Sequence, residues 1–346
     1  MKAVELFPYW ADNRHLLTEL AGALGDEDLE FRPAPGFQSV GEVLGHVIAV
    51  EEYWWHGGIQ GRPYQEWCPD GWDGFTDEQK REERRCRFPT VPSIVEGLRA
   101  AHVPIEEFAT DLDAADLCLK RRSTWGEENT LRWILWHLVE HDQHHRAQLY
   151  TRVRMMGRRP PQIWPRSPVM GHTPAAHWGR GEVAISDIVP FWKQVNAALK
   201  RAVSTLSDTD LSAAPGPGSP TIHDLILHIA IMEDFLVHQF LGGGRTPPNG
   251  RLPQDGWKLE VSQVAKHVGP HFPTVAASVE LLDAVQAATG TIVGGLDVAD
   301  LSKTLETPFG GETVHHILWY AREHTVHHRA QVFLRMRMAG RTPPEL

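Results

Sequence analysis

The sequence predicts an all-α protein built from two tandem four-helix bundles. Three observations favour this fold class: the chain repeats itself once, its apolar residues recur at helical spacing, and alternating strand patterns are scarce. The length of 346 residues suits roughly two domains. A period this long, present only twice, indicates tandem globular domains, because a solenoid needs a shorter period and more copies.

The internal repeat covers nearly the whole chain. Matching segments are His46 with His228, Phe88-Pro89-Thr90-Val91 with Phe272-Pro273-Thr274-Val275, and Glu140-His141 with Glu323-His324. Between the copies, the prolines and glycines of 160–182 cannot sustain a helix and therefore predict a linker. The predicted boundaries are 1–159 for the first bundle, 160–182 for the linker and 183–346 for the second bundle.

Four helices are expected in each copy. In the first copy the first helix spans 9–24, the second begins at Ser39, the third spans 92–112 and the fourth spans about 130–156. The third helix of the second copy spans 276–296. Ser39 with Glu42, and Thr221 with Asp224, are capping-box signatures at the start of the second helix. Gly157 predicts the end of the fourth helix. The stretch 57–74, rich in Gly, Trp and Pro, predicts a long crossover loop, and bundles of this kind hold metals between facing helices.

The strongest chemical signal is a histidine pattern that each copy contains once. His141 and His145 are four residues apart, so they share one face of the fourth helix. His46 lies 95 residues before His141 on the second helix, among apolar residues at helical spacing, where an unpaired imidazole is costly. The second copy repeats the pattern with His228, His324 and His328. Three inward histidines on two helices predict a divalent-metal site in each copy.

The choice of ligands and of their neighbours leaves alternatives open. His144 shares a helix face with His141, as His327 does with His324, so both compete as ligands. The apolar stripe at 134, 138 and 149 favours His145 over His144. His137 lies one turn before His141, and its counterpart Tyr320 lies one turn before His324. They would contact the outer shell of the metal or a substrate; two unrelated helix-end residues are an equally good interpretation.

Charged and aromatic neighbours of the pattern have two interpretations each. Arg146 and Arg329 directly follow the ligand pair and would either clamp a carboxylate or form surface salt bridges, the commoner outcome. Glu51 and Glu233 lie off the ligand face, which favours a structural role over general-base catalysis. The Trp-rich stretch that begins at 54 would shape a pocket mouth or anchor the core.

Composition excludes several classes of function. The formal net charge of −10 disfavours a nucleic-acid partner, and the basic run at 80–85 is interrupted by glutamates, which indicates a solvated surface stretch. No apolar run reaches the length of a membrane helix, and the N-terminus lacks the apolar stretch of a signal peptide. Three separated cysteines predict no disulfide framework. We therefore expect a cytoplasmic protein that acts on small molecules.

An inward histidine followed about 95 residues later by His-x-x-His-His-Arg-x-Gln resembles the DinB/YfiT-like superfamily. The resemblance covers nearly the whole chain as two consecutive domains. It implies that each domain is a four-helix bundle that binds a divalent metal through three histidines. By this resemblance the ligands are His46, His141 and His145 in the first domain and His228, His324 and His328 in the second. The motif is specific for fold and metal and less specific for reaction.

The resemblance also implies a range of activities. Members of the superfamily include thiol S-transferases that use bacillithiol, mycothiol-dependent isomerases and metal-dependent hydrolases, and many members have no assigned activity. Our first hypothesis is an enzyme whose zinc or nickel (iron and copper are alternatives) activates a low-molecular-weight thiol or water against a small electrophile. The second is a non-catalytic metal-binding or stress-response module. Because single-domain relatives commonly pair, the two bundles are expected to pack as an intrachain pseudo-dimer.

Overall fold

The computed structural model describes residues 10–68, 76–113, 115–123, 126–161, 185–243, 250–308 and 310–344. The chain divides into two compact units, 1–170 and 171–346. Of the predicted linker, only residues 160 and 161 fall within the described ranges. The predicted all-α fold class is confirmed, since the described residues are mostly helical and contain only four short strands.

The first unit contains five long helices. They are α1 (Trp10–Gly22), α2 (Val40–Tyr53), α3 (Asp77–Arg87), α4 (Val91–Asp111) and α5 (Leu131–Met155). Shorter elements are two 3-10 helices (Asp26–Glu30 and Asp116–Cys118), a π-helical segment (Trp54–Ile59) and one further α-helical turn (Tyr64–Trp67). Strands β1 (Lys120–Arg122) and β2 (Glu128–Thr130) pair antiparallel, with Arg121 opposite Asn129.

The second unit repeats this order. Its long helices are α6 (Ile185–Val203), α7 (Ile222–Glu233), α8 (Val275–Gly294) and α9 (Val314–Met338). A π-helical segment (Asp234–Leu241) again follows the second helix. Shorter elements are the helix Val264–Val268 and 3-10 helices at Asp208–Ser212, Gly256–Lys258, Val261–Gln263, Gly269–His271 and Val298–Ser302. Strands β3 (Thr304–Thr307) and β4 (Gly310–Thr313) pair antiparallel, with Leu305 opposite Glu312.

Four helices of each unit close into a ring around one core. In the first unit α1 and α2 each pack against both α4 and α5, and in the second α6 and α7 each pack against both α8 and α9. Leu17, Leu44 and Ile94 are fully buried where the first ring closes. The helix that carries the first histidine of each pattern is thus held directly against the helix that carries the other two.

The predicted capping boxes are present and determine where the second helix of each bundle begins. The Ser39 hydroxyl accepts a hydrogen bond from the Glu42 amide (3.2 Å), and the Glu42 carboxylate accepts one from the Ser39 amide (2.8 Å). Thr221 and Asp224 make the same reciprocal pair at 3.0 and 2.8 Å. Each box satisfies two amides that a helix start otherwise leaves unpaired.

Glycines end the last helix of each bundle, as predicted for Gly157. Gly157 has φ of 76° and Gly340 has φ of 75°, a backbone region that favours glycine. In each case the glycine amide and the amide after it donate to carbonyls of the last helical turn, which is a Schellman motif. The end of the ligand-bearing helix is therefore encoded locally.

The predicted loop over 57–74 begins too early. The helical path of α2 continues through Gly57 and Gly58 as the π-helical segment and ends at Ile59. A Cβ atom on Gly58 would lie 2.5 Å from the Trp54 ring, so glycine is needed for close packing and does not break the helix there. Residues 69–75 lie outside the described ranges.

The basic run at 80–85 lies largely at the surface, as its charge predicts, and the exception is Arg84. It forms most of α3, and Arg84 is only 8 % exposed. A Cβ atom on Gly45 would lie 3.2 Å from Arg84 Cβ, so this glycine lets α3 approach α2 one residue before His46. The two hairpins were also not predicted, because strands of three or four residues are too short for an alternating pattern to emerge. No helix among the described residues is long and apolar enough to span a membrane.

Candidate metal centre

The first unit brings His46, His141 and His145 together. His46 lies on α2, and the other two lie one turn apart on α5. The Nε2 atoms of His46 and His141 are 3.1 Å apart. The three ring centroids are separated by 4.9, 4.8 and 4.4 Å, and each residue offers a ring nitrogen within 4.8 Å of the others. We call this group the N-terminal triad.

The second unit brings His228, His324 and His328 together in the same way. The Nε2 atoms of His228 and His324 are 3.0 Å apart. The ring centroids are separated by 4.8, 4.7 and 4.4 Å, so the triangle of rings matches that of the first unit to within about 0.1 Å. We call this group the C-terminal triad.

Both triads suit a divalent metal ion. Two ring nitrogens that each lie about 2.0–2.1 Å from one metal are roughly 2.8–3.4 Å apart when the angle at the metal is about 90–110°. The facing Nε2 atoms of the two triads, at 3.1 and 3.0 Å, fall in this range. Among the described residues, neither group contains a fourth His, Cys, Asp or Glu. Each triad would therefore hold a metal with three neutral nitrogens and leave positions for other ligands.

Burial keeps five of the triad histidines neutral. It lowers the pKa of His46 to about 4, with a further contribution from the Arg84 charge, and it lowers the pKa of His228 to about 4. The pKa values of His141, His324 and His328 are also far below the usual range, first because of burial and then because of the neighbouring histidines. A neutral imidazole has a lone pair for a metal, so proton competition is weak at neutral pH.

Solvent reaches each triad along one stripe of the last helix. On α5 between residues 131 and 153, the residues that are not buried are Arg132, Trp133, His137, His141 and His145. On α9 between residues 314 and 336, they are Tyr320 and His324. Apart from Arg132, these positions are spaced by four, so they form one line on the helix. The line leads past His137 in the first unit and past Tyr320 in the second.

Aromatic rings surround His137. Its ring stacks on Trp133 (centroids 5.0 Å apart, planes at 9°) and meets the edge of Trp54 at 5.5 Å. The His137 ring lies 6.0 Å from that of His141, and burial lowers the pKa of His137. The contribution of Trp133 was not predicted; its place four residues before His137 is the signal that would have identified it.

The second unit has different groups at these positions. Tyr320 replaces His137, with its ring 6.3 Å from that of His324. In the repeat, Leu236 is at the position equivalent to Trp54, and His316 is at the position equivalent to Trp133. His316 is buried and lies against the Glu312 carboxylate. The approaches to the two triads therefore differ in chemistry, although the triads themselves match.

Arg146 and Arg329 do not form the surface salt bridges that the sequence favours. Both side chains are buried, at 1 % and 0 % exposure. Arg146 donates a hydrogen bond to the Asn13 side chain, and the Arg329 guanidinium lies 5.7 Å from the Phe333 ring centroid. Their position inside the bundle makes them internal supports of the last helix.

A buried ion network lies beside the N-terminal triad. Glu51 is fully buried and pairs with Arg14, whose guanidinium also binds Asp142 at 2.8 Å. His102 Nδ1 lies 3.1 Å from the Glu51 carboxylate. Burial raises the pKa of Asp142 despite the Arg14 charge. Glu51 thus has the structural surroundings that its position off the ligand face predicts. Sequence reasoning missed the network, because its members are far apart along the chain.

Among the described residues, no arginine forms a salt bridge with the matching glutamate of the second unit, and asparagine stands at the position of Arg14. Glu233 is 2 % exposed, and burial raises its pKa to about 7, although a hydrogen bond with Thr289 acts in the opposite direction. Asp234 Oδ1 accepts from His238 Nδ1 (2.7 Å), and His238 Nε2 lies 3.2 Å from the Thr289 hydroxyl. The second unit holds its buried glutamate partly neutral, whereas the first pairs it with a cation.

Acid is expected to destabilise the second unit through His315. This residue is 3 % exposed, its Nε2 accepts from the Trp319 indole at 2.8 Å, and burial lowers its pKa to about 3. The unfolded chain takes up the proton near pH 6.5, so stability falls as pH drops below 6.5 until the folded pKa is reached. Between pH 7.5 and pH 5 this loss is about 2 kcal/mol.

The variant His315→Gln keeps an acceptor for Trp319 and cannot become charged. Chemical denaturation in the presence of a chelator should show that its unfolding free energy falls less between pH 7.5 and pH 5 than that of the wild type. His267 is exposed, so His267→Gln should leave the pH dependence unchanged. An unaltered pH dependence in His315→Gln would contradict the argument.

Fold and triads together define a class of protein: helical bundles that present three histidines to a metal from two facing helices. The DinB family model matches residues 1–169, and the DinB superfamily model matches residues 192–332. The chain belongs to the DinB superfamily and contains two of its domains in tandem. The resemblance predicted from the histidine pattern is confirmed. Searches of curated proteins and of solved structures found no match.

Proposed function

We propose that this protein is a divalent-metal-dependent enzyme that acts on a small electrophile with a diffusible thiol or water as the nucleophile. The observation that carries the proposal is that each triad supplies only three neutral nitrogens among the described residues and lies on a solvent-reached stripe. A metal whose role is purely structural is commonly enclosed by four protein ligands, whereas a catalytic metal keeps a position open.

The ligand set favours activation of a nucleophile. Neutral histidines do not reduce the charge of a divalent ion, which would supply Lewis acidity and so lower the pKa of a water molecule or a thiol. Cys68, Cys86 and Cys118 belong to neither triad. A thiol nucleophile would therefore come from a small molecule, which supports a thiol S-transferase; with water the same site supports a hydrolase.

Residues along the approach would select the substrate. His137 is held by its stack on Trp133, so its ring nitrogens have a fixed direction beside the N-terminal triad. Tyr320 would present a phenol at the same place in the second unit. A group that is neutral at neutral pH can donate or accept one hydrogen bond to a bound substrate. We propose that the two sites differ in the substrate, or in the nucleophile, that they take.

Zinc or nickel is the metal that we propose. Three imidazoles also accept iron or copper, and availability in the cell often decides which ion a site of this kind contains. Elemental analysis of protein purified without added metal identifies the ion, and a chelated sample reloaded with each metal in turn shows which one supports turnover.

The test is a screen of low-molecular-weight thiols against the zinc and nickel forms of the full chain. A thiol that binds at about 100 times its Kd should stabilise the protein by about 2.7 kcal/mol, which appears as a rise in Tm. The same thiol should be consumed in the presence of a generic alkylating electrophile, and an activated ester without thiol tests the hydrolase arm.

The double variant His141→Ala/His324→Ala is the matched control, because it removes one ligand from each triad. Stabilisation and turnover that persist in this variant would arise elsewhere. If the metal-loaded wild type shows neither thiol binding nor turnover of either kind, the enzyme proposal is wrong. A metal-binding or stress-response module without turnover would then be the better description.

A further inference from the structure

His144-His145 on α5 and His327-His328 on α9 are pairs of adjacent histidines of which only the second belongs to a triad. The first, His144 or His327, is buried at 5 % or 8 % exposure and lies outside the group. Four residues after it comes Gln148 or Gln331, each 4 % exposed. On a helix this glutamine lies beside both histidines, because it is four residues from one and three from the other.

The amide of Gln331 contacts both histidines of the second unit. Its Oε1 is 3.0 Å from Nδ1 of His328, and its Nε2 is 3.0 Å from Nε2 of His327. In the first unit Nε2 of Gln148 is 2.8 Å from Nε2 of His144. The glutamine–histidine contact is thus present in both copies.

With the amide oriented as observed, Oε1 towards His328, donor and acceptor chemistry allows one assignment of these bonds. A carbonyl oxygen cannot donate, so Nδ1 of His328 must carry the proton that bonds to Gln331. A neutral imidazole with a proton on Nδ1 has its lone pair on Nε2, the form that a metal requires. The amide nitrogen of Gln331 then donates to Nε2 of His327, which must itself have a lone pair there.

The reversed amide would give the opposite result. With its nitrogen towards His328, Gln331 would donate to Nδ1, and the ring proton of His328 would move to Nε2 and block metal binding. When Nε2 of His327 has its lone pair, reversal would turn the amide oxygen towards it, so this histidine favours the observed orientation, in which the amide nitrogen lies 3.0 Å away. The adjacent histidine therefore orients the glutamine, and the glutamine orients the ligand.

We infer that Gln331 is a positioning residue that fixes the tautomer of His328, and that His327 anchors the amide of Gln331. The contact of Gln148 with His144 repeats the anchoring half of this arrangement in the first unit. This inference concerns how a ligand is prepared for the metal and does not depend on the reaction. Groups that bond to the far nitrogen of a metal-binding histidine commonly set ring orientation and metal affinity.

The direct test is the protonation of His328 in the metal-free full chain. Two-dimensional ¹H–¹⁵N NMR of the histidine rings distinguishes a proton on Nδ1 from one on Nε2. The expected result is His328 protonated on Nδ1 in the wild type and a mixture of both forms in Gln331→Met. Predominant protonation on Nε2 in the wild type would overturn the inference, and this measurement needs no variant.

The second test is the affinity of the C-terminal triad for Co²⁺, measured by competition with a chelator in the His141→Ala background. Gln331→Met should weaken binding about 10–100-fold. Gln331→Glu retains an acceptor for Nδ1 of His328 and should restore the affinity and the visible spectrum of bound Co²⁺. If Gln331 acted through packing alone, Gln331→Glu would bind Co²⁺ more weakly than Gln331→Met, since Glu would place a charge in the core.

Thr325→Val is the matched control. Thr325 is on the same helix, 1 % exposed, and donates to the Ala321 carbonyl, so the variant removes a buried polar group without touching the glutamine. It should leave the Co²⁺ affinity unchanged. Equal losses in Thr325→Val and Gln331→Met, or no loss in Gln331→Met, would contradict a positioning role.

Discussion

Replacing His141 with alanine is expected to reduce the divalent metal bound per chain from about two ions to about one, because each triad is a separate site. His324→Ala should do the same for the second unit, and the double variant should bind none. Removal of one of three ligands should weaken the affected site by more than the roughly 10–100-fold that is typical when an outer-shell partner is lost.

Metal content after loading and desalting, measured by mass spectrometry, checks this expectation. His15 is half exposed and belongs to neither triad, so His15→Ala should retain both ions. Two ions retained in His141→Ala would show that the N-terminal triad is not the binding site. Loss of both ions in a single variant would show that the two sites depend on each other.

Replacing Arg14 with methionine is expected to lower the unfolding free energy of the first unit by about 3–5 kcal/mol, because it removes the cation from a buried network. Arg14 and Glu51 are 5 % and 0 % exposed, and Asp142 is 1 % exposed. Two carboxylates would then remain inside the bundle without the guanidinium that binds both. Hydrogen exchange of peptides from α1 and α5 gives a readout specific to this unit.

The second unit supplies the matched control for this variant. The repeat places Asn196, Thr325 and Gln286 at the positions of Arg14, Asp142 and His102, around Glu233. Burial raises the pKa of Glu233 to about 7, so a glutamate in that setting protonates easily and the cost of a buried charge is reduced. The triple variant Arg14→Asn/Asp142→Thr/His102→Gln should therefore lose less stability than Arg14→Met alone. A greater loss in the triple variant would show that packing, and not charge, dominates.

Much of the fold could be predicted because its signals are local. Apolar residues at helical spacing, the capping boxes at Ser39 and Thr221, and the terminal Gly157 each depend on residues within one or two turns. The elements that were missed depend on distant packing. Gly58 looks like a helix breaker until the Trp54 ring is seen against it, and Arg84 looks solvent-exposed until α3 is placed on α2.

The candidate site divides in the same way. Residues four apart lie on one face of a helix, so the spacing of His141 and His145 identifies two members of each triad from the sequence. Repetition of the whole pattern identifies the third. The neighbours could not be predicted. The charge of Arg146 predicts a solvated side chain, yet this residue is buried, and the stack of Trp133 on His137 depends on side-chain directions.

Residue order alone was enough to assign the class of this protein: two helical bundles, each with three inward histidines, in the DinB superfamily. Helix periodicity and ligand spacing are short-range properties, so they can be deduced from residue order alone. The arginine partner of Glu51, the Thr289 hydrogen bond of Glu233 and the groups that border each approach were decided by tertiary packing. Those outcomes depend on contacts between helices about one hundred residues apart, where charge, hydrogen bonding and packing are settled together.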